Sequence, residues 1–470
     1  MNYDQEIEEA LEDLAEDDEN IPGLNVSGQR EKHADTAAKF LGQEKKADTP
    51  LTAPRYYGDL LAWALKRYIK TEGWKVTNVL GHRGSTPRYR DAETDYDKHE
   101  NILFDGLLLL RKEDKRFVAT IAANATDPAS LVITSSSRTR KEAHRFIEDV
   151  CNMAKEGNFY KGKKLHLSHR IHFLKLPSKG WQDLALDPIL KEQIVANTTG
   201  FLNRTTELSR YGIPQRRGIL LVGEPGTGKT LICKILVNDS AGITCILADG
   251  SGLMHSGYIC ELYELAQDLS PSMVFIEDID LIGQQRVRSQ YSRSDALAAL
   301  LSALDGVQEC TGVVTVATTN WLEILDEALS QRPSRFDRII KLALPSVEQR
   351  MGLIEFLSQA IPMDEHVKDY LARRTEHYTP AQVQEVVYSL VIDHEHSIRC
   401  DELGYCKFDI DEVDNALSKI NGRNRQLGFK IASTYHDNGG NGRKQCPELV
   451  KQANEIQYER RLQNELFRLQ

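Results

Sequence analysis

Apolar positions along the chain fall into distinct patterns. Leu60, Leu61, Ala64, Leu65 and Tyr68 recur at helical spacing and predict a helix over Tyr56–Lys70. The apolar segments Ile102–Leu110, Phe117–Ala122 and Leu131–Thr134 predict strands, and a second helix is expected from Lys141 to about Ala154. Together these make residues 55–180 an α+β domain with no catalytic signature of its own. From Arg217 to Leu344 short aliphatic and β-branched runs alternate with helical segments, the pattern of a parallel sheet flanked by helices. Pro345 closes the last strand, and Val347 to about His396 reads as helices forming a small lid. No internal repeat is evident, so one such module is expected per chain.

Local signals refine these boundaries. Asp187-Pro188 is an N-cap followed by proline at the first helical position, and Leu190, Ile194 and Phe201 continue on one helical face. Residues 1–50 are rich in Asp, Glu, Lys and Gln and poor in aromatics, so a disordered acidic tail is expected there. Charge sharpens that picture: Met1–Asn20 holds ten acids and no base, which equals the whole net charge of −10. The remainder is balanced, which argues against a broadly basic nucleic-acid surface while leaving room for a local basic pore or groove. At 470 residues and 41% apolar content the chain can bury a core in each of two or three domains. Its longest apolar stretches fall far short of the roughly 20 residues that span a bilayer, so a cytoplasmic protein with no membrane segment is expected. Eight cysteines are scattered without a CxxC pair or zinc-finger spacing and read as reduced thiols.

The chemistry concentrates in one place. The apolar run Ile219–Val222 leads into Gly223-Glu224-Pro225-Gly226-Thr227-Gly228-Lys229-Thr230, and the helical Leu231–Val237 follows. This is the strand, glycine-rich loop and helix of a phosphate-binding P-loop. Glycines let backbone N–H groups turn inward around an anion, and the helix N-terminus adds partial positive charge. Lys229 is expected at the β- and γ-phosphates and Thr230 on magnesium. Met273–Ile276 then forms an apolar strand that delivers Glu277 and Asp278 at its C-terminal end, where a doubly wound sheet binds ligands. One carboxylate, Glu277, would hold the magnesium shell through water, and Asp278 would act as general base.

With these two motifs, Leu300–Gly306, Thr318-Thr319-Asn320 and Arg332-Pro333-Ser334-Arg335-Phe336-Asp337-Arg338 follow in order, and the ensemble resembles the AAA branch of the AAA+ ATPases. The resemblance implies an α/β fold: an AAA+ P-loop NTPase core of parallel sheet and flanking helices over 181–345, and a small helical lid over 346–422. An N-terminal α+β partner-recognition domain over 51–180 and a C-terminal extension over 423–470 complete the layout. It further implies ATP and Mg2+ as ligands, Asn320 as the polar sensor near the γ-phosphate, and Arg332 and Arg335 as arginine fingers acting on the neighbouring subunit of a hexamer or heptamer. An arginine supplied in trans contributes roughly 10³ to 10⁵ in rate.

The acidic pair runs Glu277 then Asp278, where most AAA proteins have the reverse order. The exchange shortens the base by one methylene. The BCS-one-like family of mitochondrial AAA chaperones is similar in this respect, and also in Leu186-Asp187-Pro188, Tyr211-Gly212-Ile213-Pro214, Arg216-Arg217-Gly218 and Thr379-Pro380-Ala381-Gln382-Val383-Gln384. Gly212 and Leu231 join the P-loop residues as nucleotide-contact candidates. The stretch Asp249–His255, where chain-threading unfoldases carry a pore aromatic, has none, and Tyr258 is expected in the core or at the start of the next helix. Gln284–Arg293 carries Arg286, Arg288 and Arg293 around Tyr291, either as a channel lining or as a solvated loop. Asp393-His394-Glu395-His396 places its histidines on different helix faces and reads poorly as a metal site. Three functions fit: an oligomeric ATPase that remodels a protein partner, a nucleic-acid-associated motor in replication, recombination or defence, and an ATP-dependent assembly scaffold with weak hydrolysis.

Overall fold

The structure is a computed structural model that describes residues 26–124, 127–168, 170–249, 256–280, 300, 304, 311–320, 336–392 and 408–426. The chain divides into two compact units, Met1–Lys175 and Leu176–Gln470.

The first unit is built on an antiparallel sheet. Helix α1 (Val26–Leu41) precedes strand β1 (Lys46–Ala53), helix α2 (Gly58–Thr71), and strands β2 (Lys75–Leu80), β3 (Arg88–Asp95), β4 (Lys98–Lys112), β5 (Lys115–Ala122) and β6 (Ala129–Ser136). Helix α3 (Arg140–Glu156) and the hairpin β7 (Lys164–Leu167) and β8 (Ile171–Phe173) follow. The strand order is β1-β6-β5-β4-β2, with β3 also paired to β4. As the spacing predicts, Leu60, Leu61, Ala64, Leu65 and Tyr68 of α2 are buried. Tyr68, Trp74, Phe117 and Phe146 interlock, with Trp74 stacked on Phe117 at 4.9 Å and Tyr68 edge-on to Phe146 at 4.8 Å.

Residues 26–50 correct the expectation of a disordered tail reaching to residue 50. Strand β1 pairs with β6 along its whole length, from Lys46 opposite Ser136 to Ala53 opposite Ala129. A side-chain bond adds to the ladder, Thr134 Oγ1 donating to Asp48 Oδ1 at 2.7 Å. As the edge of the sheet it also tolerates Pro50. Main-chain pairing to a strand far along the sequence supplies what the composition lacks. Residues 1–25 lie outside the described part of the chain.

In the second unit Asp187 caps helix α4 (Pro188–Asn197), its Oδ1 accepting from Ile189 N at 2.7 Å. Short helices α5 (Thr199–Asn203) and α6 (Thr205–Ser209) lead to β9 (Arg216–Gly223), α7 (Lys229–Asp239), β10 (Thr244–Asp249), α8 (Ser256–Asp268), β11 (Ser272–Glu277), β12 (Val313–Thr319) and β13 (Arg338–Leu342). Within this unit the order is β13-β9-β12-β11-β10, and each neighbouring pair is parallel. Strand β12 is buried at every position, and Met273–Ile276 of β11 likewise, because helices cover both faces of such a sheet. Among the described residues, Cys233 and Cys245 sit in this core and Cys260 is exposed.

The lid comprises α9 (Val347–Ser358), α10 (Glu365–Arg374), α11 (Pro380–Ile392) and α12 (Ile410–Gln426). It has an apolar core of its own, including Leu353, Ile354, Leu371, Val386 and Val413. The buried Arg350 ties it together, donating to Ala372 O and to Pro345 O at 2.8 Å each.

Candidate nucleotide site

Strand β12 lies between β9 and β11, so the C-terminal ends of three adjacent parallel strands meet at one sheet edge. Strand β9 contributes the glycine-rich loop, β11 the acids and β12 the polar residue that follows it. Register reinforces the convergence, since Thr319 pairs with Val222 and Ala317 with Ile276.

The loop turns on two glycines in the left-handed region, Gly226 at φ +87° and Gly228 at φ +98°. Space is tight at both. A Cβ on Gly228 would stand 2.5 Å from Leu184 Cδ1, and one on Gly226 would stand 2.8 Å from Thr379 Oγ1. Glu224 and Pro225 are exposed in the turn, whereas Thr227 is buried and its hydroxyl donates to Glu224 O at 2.8 Å. Lys229 opens α7 and is 6% exposed. Its ammonium donates to Gly223 O at 2.7 Å and to Glu224 O at 3.0 Å. Burial lowers its pKa, against the opposing pull of Asp278, Asp280 and Glu224. Leu231 packs against the core beneath the sheet, an anchoring place for that candidate.

The lid reaches the loop directly. Thr379 and Gln382 form a reciprocal cap at the start of α11, with Thr379 N donating to Gln382 Oε1 at 2.8 Å and Gln382 N donating to Thr379 Oγ1 at 3.3 Å. The next backbone amide, Ala381 N, donates to Gly226 O at 3.2 Å.

Across the edge, Thr230 Oγ1 donates to Glu277 Oε2 at 3.4 Å. A hydroxyl and a carboxylate oxygen together suit Mg2+, which takes few protein oxygens and leaves the rest of its shell to phosphates and water. Asp278 departs from the strand at φ +52° and accepts from the Asn320 side-chain amide, Nδ2 to Oδ1, at 3.3 Å. The sequence-predicted base and sensor are therefore neighbours. Asp280 is not marked by the P-loop or acidic-pair motifs, although Glu277-Asp278-Ile279-Asp280 carries the signal of a third acid two positions on. Its side chain is buried and accepts from Thr319 Oγ1 at 3.0 Å.

Other candidates fall elsewhere. Gly212, at φ +71°, ends α6 by donating to Ser209 O at 3.0 Å, and its Cβ position faces open space. Tyr258 is half-buried in the first turn of α8. Arg332 and Arg335 lie outside the described residues, as do residues 250–255, 284–293 and 393–396. Among the described residues no group of three or more His, Cys, Asp and Glu side chains gathers as a metal site, and no helix is long and apolar enough to cross a membrane.

Comparison with known proteins bears on the same stretch of chain. Residues 219–344 match the family model described as the ATPase family associated with various cellular activities (AAA). These residues form an AAA ATPase domain of the AAA+ superfamily. Such a domain takes ATP with Mg2+. The chain is similar to the ATP-dependent zinc metalloprotease FtsH 1 of Alkaliphilus metalliredigens, 34% identical over 203 residues, covering 41% of this chain and 34% of that protein. FtsH 2 of Sphaerobacter thermophilus is 35% identical over 221 residues, covering 45% of this chain and 33% of that protein. The proteasome-activating nucleotidase of Sulfurisphaera tokodaii is 33% identical over 232 residues, covering 46% of this chain and 56% of that protein. The match thus spans about a third of the FtsH relatives and just over half of the nucleotidase. The AAA domain accounts for the α/β core and its P-loop, and the antiparallel first unit lies outside the 219–344 match.

Proposed function

We propose that the chain is an ATP-hydrolysing motor that works as a ring of identical subunits and remodels a protein partner recruited by the first unit. One observation carries the ATPase reading: the P-loop, Glu277 with Asp278, and Asn320 meet at a single sheet edge, with Asn320 bonded to Asp278. Lys229 and the loop amides would hold the β- and γ-phosphates, with Thr230 and Glu277 holding magnesium. When bound, the ion offsets phosphate charge. Asp278, held by Asn320, would orient the attacking water beside the pair. Its oxygen bonds to the γ-phosphorus as the bond to the bridging β,γ-oxygen breaks, and Asp278 takes the proton, leaving ADP and phosphate.

Arg332 and Arg335 are proposed to act on the nucleotide of an adjacent subunit. Likeness to FtsH proteins and to a proteasome-activating nucleotidase supports a protein rather than a polynucleotide as the partner. The Glu-Asp order, the Asp187 cap and the Thr379–Gln382 cap on the P-loop support a place nearest the BCS-one-like chaperones within the AAA group.

The test is Mg2+-dependent phosphate release by purified full-length chain beside Lys229→Ala. Release that Lys229→Ala reduces at least a hundredfold is expected, while equal release from the two proteins would refute the reading. Stimulation by a folded protein fraction but not by polynucleotide is expected for the partner class. Stimulation by polynucleotide that falls steeply with salt would point to a nucleic-acid motor.

A further inference from the structure

The proposed reaction employs Glu277, Asp278 and Asn320 and leaves a third acid of the same strand end unused. Asp280 is 4% exposed. Burying a carboxylate costs several kcal/mol relative to an apolar residue of similar volume, so a well-packed site keeps one only for what its oxygens hold. Here they hold the segment that carries the sensor. Asp280 Oδ1 accepts from Thr319 Oγ1 at 3.0 Å and from Asn320 N at 3.4 Å.

Two more bonds lace the same strand ends together: Asp278 N donates to Thr318 Oγ1 at 3.0 Å and Ile279 N donates to Thr318 O at 2.9 Å. Thr318, Thr319 and Asn320 are thus clamped in sequence against Asp278, Ile279 and Asp280. The Asn320 side-chain amide in turn donates to Asp278. Burial keeps Asp280 from the solvent-facing position that a magnesium ligand needs, and Glu277 already stands beside Thr230.

We propose that Asp280 is a positioning residue for ATP hydrolysis, fixing Thr319 and the Asn320 backbone so that the Asn320 amide meets Asp278. The inference rests on the ATPase reading and adds to it a residue that acts through Asn320 without touching the reacting atoms. A displacement of about 1 Å at such a distance from the chemistry costs on the order of a hundredfold in rate.

Its test is steady-state ATP hydrolysis by full-length Asp280→Ala, Asp280→Asn, Asn320→Ala and the Asp280→Ala/Asn320→Ala double variant, with KM for ATP and melting temperature measured in parallel. Asp280→Ala should lower kcat roughly tenfold to a hundredfold with KM within about twofold. Asp280→Asn keeps an oxygen where both bonds land and should hold kcat within about threefold. The double variant should be no slower than Asn320→Ala alone, since one residue works through the other.

Asparagine as damaging as alanine would overturn positioning in favour of a role for the charge. Equal added losses in the double variant would overturn action through Asn320. KM and melting temperature that fall apart together with kcat in Asp280→Ala and Asp280→Asn alike would reduce Asp280 to a folding residue. Wild-type chain without Lys229-dependent hydrolysis would instead sink the ATPase reading, and the inference with it.

Discussion

Replacing Gly226 by alanine tests how strongly the lid and the P-loop depend on each other. The backbone at this position has φ +87°, where an L side chain costs about 1–2 kcal/mol. The new methyl would also stand 2.8 Å from Thr379 Oγ1 and 3.1 Å from Ala381 Cβ, both in or beside the cap of α11. To make room the lid must retreat, and the 3.2 Å bond from Ala381 N to Gly226 O is lost, at about 1 kcal/mol. The sum is about 2–3 kcal/mol set against the loop geometry that receives phosphate. With 1.4 kcal/mol per tenfold, ATP should bind roughly 30- to 150-fold more weakly. Calorimetric titration with Mg·ATP measures this directly. Gly242→Ala is the control, because its φ of +73° carries the same backbone cost while its Cβ would meet nothing within 4 Å. That variant should lose about 1–2 kcal/mol of stability and keep its ATP affinity. Gly226→Ala binding ATP as tightly as wild type, at an unchanged melting temperature, would refute the argument.

Further outcomes follow from other contacts. Asp278→Asn should bind ATP within about threefold of wild type and lose turnover by roughly 10²- to 10⁴-fold, checked by titration and single-turnover hydrolysis; full turnover would move the base elsewhere. Arg350→Met leaves Ala372 O and Pro345 O without their donor and should cost about 2–4 kcal/mol in chemical denaturation, most of it in the lid. Burial raises the Asp280 pKa despite the Thr319 hydrogen bond, and Asp278 raises it further. The folded pKa exceeds the unfolded one, so this group favours folding at low pH and the benefit is lost as pH rises through the folded value. Asp280→Asn should therefore melt higher than wild type at neutral pH, with the gap closing as pH falls toward about 4; a constant gap across pH would contradict this.

Features written in consecutive residues were legible before the fold was known. The apolar strand before Gly223, the helix after it, the Asp187-Pro188 cap and the acids ending β11 each follow from local spacing and chirality. The elements that sequence missed depend on distant partners. Strand β1 offers only Leu51 and small or polar neighbours, and its place is fixed by pairing with β6. Strand β3 is dense in charge and is held by its ladder to β4. The closeness of Asn320 to Asp278 was implied by family order, but the Asp280 clamp behind it needs β11 and β12 side by side. Contact between Gly226 and Thr379 joins the start of the domain to its lid, and no spacing rule reports that.

Leu184 and Ala185 are successive residues with different allegiances. Leu184 belongs to the sheet's apolar core and crowds Gly228, while Ala185 packs with the lid's core. A single peptide unit therefore straddles both bodies. A change in how the lid sits would reach the glycine-rich turn through one peptide unit, by way of the Leu184 side chain against Gly228.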